Sequence, residues 1–143
     1  MYSHVIVAID GSDDSIRAAE EALRLAEQSK RTMIELVFVA EHTKETAKAQ
    51  ALPMIDAFET SKQNRQQTFQ VEAMFEEEGV PYVLTELYGN PGKAIADYAN
   101  EKNADLVIIG SRGIGKMKQW LLGSVSQRVV NEAACPVLVM KHR

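Results

Sequence analysis

The residues best suited to hold an anion lie between positions 110 and 126. The first stretch, 110–117, reads GSRGIGKM. Gly110, Gly115 and Lys116 reproduce most of a Walker A loop, whose backbone N–H groups and lysine cradle nucleotide phosphates. Met117 stands where that loop needs a Ser or Thr hydroxyl for Mg2+, and no obvious Walker B acid accompanies it. A dinucleotide fingerprint fails as well. Gly113 and Gly115 give G-x-G, but Lys118 occupies the third glycine position.

A different spacing fits. Gly110, Gly113, Gly123 and Ser124 spell G-x2-G-x9-G-S. Gly110 and Gly113 let backbone approach a ribose or phosphate without Cβ interference. Gly123, Ser124, Val125 and Ser126 lead into a helix, whose unpaired N–H groups and dipole attract an anion. The hydroxyls of Ser124 and Ser126 can add hydrogen bonds, and Arg112, Lys116 and Lys118 supply positive charge between the two halves.

Strands and helices must bring these residues together. Short apolar runs at 4–9 (HVIVAI), 33–39 (MIELVFV), 82–87 (YVLTEL), 105–110 (DLVIIG) and 136–140 (PVLVM) read as five strands. Ile16, Ala19, Leu23 and Ala26 recur at helical spacing after the turn cluster DGSDDS. A second helix is predicted over 53–78, with Ile55, Phe58, Phe69 and Phe75 as anchors and with Gly79 and Pro81 closing it. Asn90 caps a third, with Pro91 first and Ile95, Tyr98 and Ala99 inward. A fourth is expected over 126–133, while 40–52 reads as a polar loop. This alternation predicts an α/β fold, an open five-stranded parallel sheet with helices on both faces, in a single domain spanning 1–143. In such folds a ligand sits beyond the strand C-termini, where strand order reverses, which points to Asp10, Val39 and Gly110.

Composition narrows the function classes. Hydrophobic residues make up 45% and charged residues 25%, as in ordinary globular proteins. A net charge of −4 gives no basic field to recruit nucleic acid or an anionic membrane. The apolar runs are too short to span a bilayer, and MYSHVIVAIDGS lacks the features of a signal peptide. One cysteine, Cys135, excludes an internal disulfide and suits a reducing cytoplasm; it reads as a small buried residue.

Four ordered blocks resemble the ATP-binding branch of the universal stress protein family: HVIVAIDGS, DLVIIGSRG, LLGSVSQRVV and CPVLVMK. That family's motif, G-x2-G-x9-G-[ST], stands complete at Gly110, Gly113, Gly123 and Ser124. The resemblance implies a Rossmann-like sheet of the adenine nucleotide alpha hydrolase type, with strand order 3-2-1-4-5. It implies a regulatory dimer of the stress response that binds ATP, or ADP or AMP, with or without Mg2+, and hydrolyses it slowly if at all. It implies that Asp10 contacts ribose or a bound metal and that the Val39 backbone hydrogen-bonds adenine. Gly110, Arg112 and Gly113 would line ribose and phosphates, and Gly123, Ser124, Val125 and Ser126 would hold the phosphate tail. Val137 to Met140 would pair with a twofold mate, covering an exposed apolar edge.

Simpler roles stand beside these. Asp10 can make a turn with Gly11, and Ser124 with Gln127 fits a capping box. Arg112, Lys116 and Lys118 can be solvated loop charges, and Trp120 an apolar anchor with Leu121 and Leu122. His4, His42 and His142 show no metal-ligand spacing and default to surface or strand-edge positions, and Glu76, Glu77 and Glu78 read as a solvated helix end. Two other functions remain open. One is an ATP-cleaving enzyme, echoed by DGSDDS, although Asp13 and Asp14 at that helix start repel phosphate. The other is an ATP-independent interaction protein with 40–52 as partner surface.

Overall fold

A computed structural model describes residues 2–40, 54–111 and 122–141, with the side chains of 54–65 excepted. The expectations at Arg112, Gly113, Lys116, Lys118, Trp120, Leu121, His42, His142, Ile55 and Phe58, and for the loop 41–52, lie outside the described residues. Among the described residues nine elements alternate: β1 (His4–Ala8), α1 (Asp13–Gln28), β2 (Met33–Ala40), α2 (Met54–Glu77), β3 (Val83–Tyr88), α3 (Pro91–Glu101), β4 (Leu106–Gly110), α4 (Ser124–Glu132) and β5 (Val137–Met140). The five strands form one parallel sheet in the order β3-β2-β1-β4-β5, as expected.

Alternating side chains divide the core between the two faces of the sheet. Val5, Val7, Ile34, Leu36 and Ile108 face α1 and α2, whereas Ile6, Ala8, Val37, Val107 and Ile109 face α3 and α4. The buried side of α1 includes Ala18, Ala19, Ala22 and Ala26, small residues that let the helix lie close to the strands. In α2, Phe75 is fully buried, but Phe69, expected as an anchor, is 48% exposed. Phe69 follows Thr68, which is fully buried, so the inward face of α2 runs through Thr68, Val71 and Phe75 at helical spacing. Gly79 ends this helix at φ +66, and the Val80 N–H returns to the Phe75 carbonyl, the hydrogen bond of a glycine-terminated helix.

Several ends differ from the sequence reading. The first strand stops at Ala8 and the last begins at Val137. The last helix starts at Ser124, two residues early, with Gly123 rather than Ser124 as its N-cap. Among the described residues no side-chain hydrogen bond caps it, so the capping box that Ser124 and Gln127 could form is absent. The Gln127 N–H instead donates to the Gly123 carbonyl as part of the helix ladder.

One polar group lies in the apolar layer beneath α3. Glu35 of β2 is 4% exposed and binds side chains from three other elements. Its carboxylate accepts from Thr85 Oγ1 at 2.5 Å, Tyr98 OH at 2.5 Å and His4 Nε2 at 2.8 Å. His4, expected at a surface or edge, is thus tied into a part-buried network. Burial raises the Glu35 pKa, but the hydrogen bonds from Thr85, Tyr98 and His4 and the charge of His4 outweigh it, leaving the carboxyl below its ordinary range. A carboxylate with a lowered folded pKa contributes stability that is present above its unfolded pKa and is lost as pH falls through the folded value. Glu35→Gln is therefore expected to lower stability at neutral pH by about 1–3 kcal/mol, the scale of a hydrogen bond to a charged group. It should also flatten the acid limb of a stability–pH curve. Urea unfolding across a pH series checks this, and an unchanged acid limb would refute it.

Candidate functional site

The reversal of strand order falls between β1 and β4, so their C-terminal ends frame the crevice where such sheets bind ligands. Asp10 follows β1 by two residues. Its Oδ1 accepts from Ser12 N at 2.9 Å and from Ser12 Oγ at 2.5 Å, and Gly11 turns at φ +83. Ser12 in turn caps α1 by accepting from Ser15 N. The turn role read for Asp10 is therefore present, and it occupies one carboxylate oxygen. Among the described residues no donor reaches Oδ2, so a turn and a ligand contact are compatible. A cleft of about 410 Å³ adjoins Asp10, lined also by Gly11, Ile16, Gln67 and Gln70.

Val39 sits near the end of β2. In a parallel ladder the N–H and C=O of one residue point to the same side, and successive residues alternate. The Val37 carbonyl accepts from Ile9 N at 2.8 Å, so Val37 faces β1 and Val39 does too. The β1–β2 register ends at Ala8 and Val37. The Val39 backbone therefore points into the space beyond β1, offering a donor and an acceptor on one edge.

Gly110 closes β4, and its lack of a side chain has a packing reason. A Cβ there would lie 2.6 Å from the Asp14 Cβ and 3.1 Å from the Asp14 carbonyl carbon. The space expected for an approaching ligand is, on that side, filled by the first turn of α1. Asp14 itself is 4% exposed. Ser111, next in sequence, is a junction that the sequence reading missed. Its N–H donates to the Met140 carbonyl of β5 at 2.8 Å, and its carbonyl accepts from Gly123 N at 2.7 Å and from Ser126 Oγ at 2.9 Å. Its hydroxyl lies 3.4 Å from Asp14 Oδ2. The signal available in sequence was only its place between the two first motif glycines.

The second half of the motif is the start of α4. Gly123 adopts φ −66, open to any residue, so conformational need does not explain this glycine. The hydroxyl of exposed Ser124 is free to turn outward, whereas Ser126 is 2% exposed and its hydroxyl is directed at the carbonyls of Ser111 and Gly123. The N–H groups of Ser124, Val125 and Ser126 form the uncapped first turn, the positive end of the helix dipole. Val39, Asp10, Gly110 and the Gly123–Ser126 turn thus lie at the C-terminal end of the sheet. A larger cleft of about 790 Å³, lined by Lys30, Arg31, Tyr82 and Val83 among others, lies at the opposite end and contains no motif residue. Cys135 is half-buried, and burial pushes its thiol pKa up, away from the thiolate that nucleophilic chemistry needs. Among the described residues no group of three or more His, Cys, Asp or Glu forms a metal cluster, and no helix is long and apolar enough to cross a membrane.

Gly110→Ala should cost about 1–3 kcal/mol of stability, the usual penalty of overpacking. Denaturant unfolding measures it. A variant as stable as wild type that only loses ligand binding would show that the glycine serves the ligand and not α1.

Comparison with known proteins agrees with this geometry. The sequence profile of the Universal stress protein family matches residues 1–141. A universal stress protein of Methanocaldococcus jannaschii is 31% identical, over 99% of this chain and 83% of its own. Universal stress protein YxiE of Bacillus subtilis is 30% identical, over 99% and 100%. Among solved structures, a universal stress protein in complex with cAMP aligns with a TM-score of 0.72 at 24% identity, covering 96% of both chains. The universal stress protein of Archaeoglobus fulgidus in complex with dAMP aligns with a TM-score of 0.71 at 22% identity, covering 98% of both. Profile, relatives and sheet topology lead to one conclusion: this chain belongs to the universal stress protein family.

Proposed function

We propose that this protein is a regulatory nucleotide-binding protein whose ligand is ATP, with ADP and AMP as alternative occupants of the same site. The observation that carries the reading is the uncapped start of α4, held against the Ser111 peptide at the strand-order reversal. Three chemistries of one ligand match three groups there. Phosphate fits the N–H groups of Ser124, Val125 and Ser126 and the Ser124 hydroxyl, because an unpaired helix start attracts an anion. Adenine fits the paired donor and acceptor of the Val39 backbone. Ribose, or a Mg2+ ion carried by the phosphates, fits Asp10 Oδ2. Such an ion would supply charge neutralisation. The reading takes Arg112 and Gly113 as further ribose and phosphate contacts on the motif alone. Structural relatives in complex with cAMP and dAMP support an adenine nucleotide as the ligand class.

The site supplies peptide N–H groups and hydroxyls, which suit binding and release better than rapid turnover. A cytoplasmic protein acting in the stress response, in which nucleotide changes shape or partners, is the role that fits, and it needs no second domain. The reading extends to a homodimer through β5. That strand pairs only with β4 among the described residues, and Leu138 on it is 38% exposed.

Two experiments test these statements. Nucleotide released on denaturing the purified protein is expected to be ATP, ADP or AMP from wild type, with none from a folded Gly123→Val variant. Absence of binding to wild type in a titration with millimolar Mg-ATP would refute the reading. For the dimer, Leu138→Lys should shift the sedimentation coefficient from dimer to monomer, and an unaltered dimer would place the interface elsewhere.

A further inference from the structure

We propose that Ser126 is a positioning residue whose buried hydroxyl clasps the two halves of the glycine motif together, while Ser124 supplies the hydroxyl that meets the anion. The inference rests on the nucleotide reading above and divides the labour within it. The two serines look alike in sequence, two residues apart in GSVS. Their surroundings are opposite. Ser124 is exposed, whereas Ser126 is 2% exposed. Ser126 Oγ lies 2.9 Å from the Ser111 carbonyl oxygen and 3.0 Å from the Gly123 carbonyl oxygen. A hydroxyl has one proton, and here that proton is shared between two carbonyls. What Ser126 Oγ can still offer is lone pairs, which repel phosphate oxygens. It therefore does not serve as a phosphate donor while the clasp is closed; its backbone N–H does.

The Ser111 carbonyl receives two donors, Ser126 Oγ and Gly123 N–H at 2.7 Å. A carbonyl oxygen has two lone pairs, and both are used. Residues 111 and 123 are thereby held side by side, although eleven residues of chain separate them. This sets where the first turn of α4 stands relative to Gly110. Removing the Ser126 hydroxyl loosens the aim of several N–H groups at once, whereas removing the Ser124 hydroxyl deletes one contact.

The test uses the full chain and the variants Ser126→Ala, Ser126→Thr and Ser124→Ala. Amide hydrogen exchange at Gly123 is measured by NMR in the free protein, and affinities for Mg-ATP and for adenosine are measured by calorimetry. Ser126→Ala should speed exchange at Gly123 by about tenfold and weaken ATP by about tenfold, the scale of one lost hydrogen bond. Adenosine, which lacks phosphate, should change less than about twofold. Ser126→Thr, which keeps the hydroxyl, should restore both quantities. Ser124→Ala should weaken ATP without altering exchange at Gly123. Should Ser126→Ala not fold, Ser126→Cys, with a weak donor of similar size, takes its place. Unchanged exchange at Gly123 in the variant overturns the clasp. So does an equal loss of ATP and adenosine, which is the mark of general damage. If wild type binds neither ligand, the nucleotide reading fails by itself, and the exchange rates in the free protein still uphold or overturn the clasp.

Discussion

The peptide of Ser111 is the junction on which the arrangement at the C-terminal end of the sheet depends. Its N–H holds the end of β5 through Met140, and its carbonyl holds the start of α4 through Gly123 and Ser126. Its side chain stands against Asp14 in the first turn of α1. One buried residue therefore ties a strand edge and two helix starts to the end of β4. A buried peptide group must find partners or bear the cost of desolvation, and here its partners are the elements that frame the crevice.

That junction is possible because α1 comes close to β4. The alanine-rich face of α1 allows the approach, and Gly110 allows it at the point of nearest contact. The same economy of side chain recurs on the other face, where a Cβ on Gly92 of α3 would lie 2.9 Å from Arg128 Cβ of α4. Helices drawn in on both faces bring the α4 N-terminus, Asp10 and the Val39 backbone to one end of the sheet. The Glu35 network works at the level of the fold and not of this site. It fastens β1, β2, β3 and α3 through a carboxylate with every donor supplied by a side chain.

Adjacent charges and hydroxyls in the sequence acquire different roles from their neighbours in space. Asp13 is exposed and Asp14 is buried under Gly110, although both sit in the first turn of one helix. Asp10 accepts both Ser12 donors on one oxygen, while its residue also lines a cleft beside α1. Ser124 and Ser126 divide in the same way, one outward and one inward.

The sequence by itself determined the alternation of strands and helices, because apolar runs and helical spacing are local patterns that burial on a two-faced sheet demands. It also determined the family, since the G-x2-G-x9-G-S spacing and four ordered blocks are visible without coordinates. Asn90 with Pro91, and Gly79, announced their helix ends because caps are set by neighbours in sequence. Only the tertiary structure decided the rest. That Gly110 yields to Asp14, that His4 and Tyr98 meet Glu35, and that Ser111 joins Gly123, Ser126 and Met140 are contacts between distant positions. Even the end of α4 depended on them: Ser124 had the spacing of a cap, but Gly123 took that place, its N–H held by Ser111. Residue type and spacing say which groups can act; the packing of separate elements fixes which way each one points.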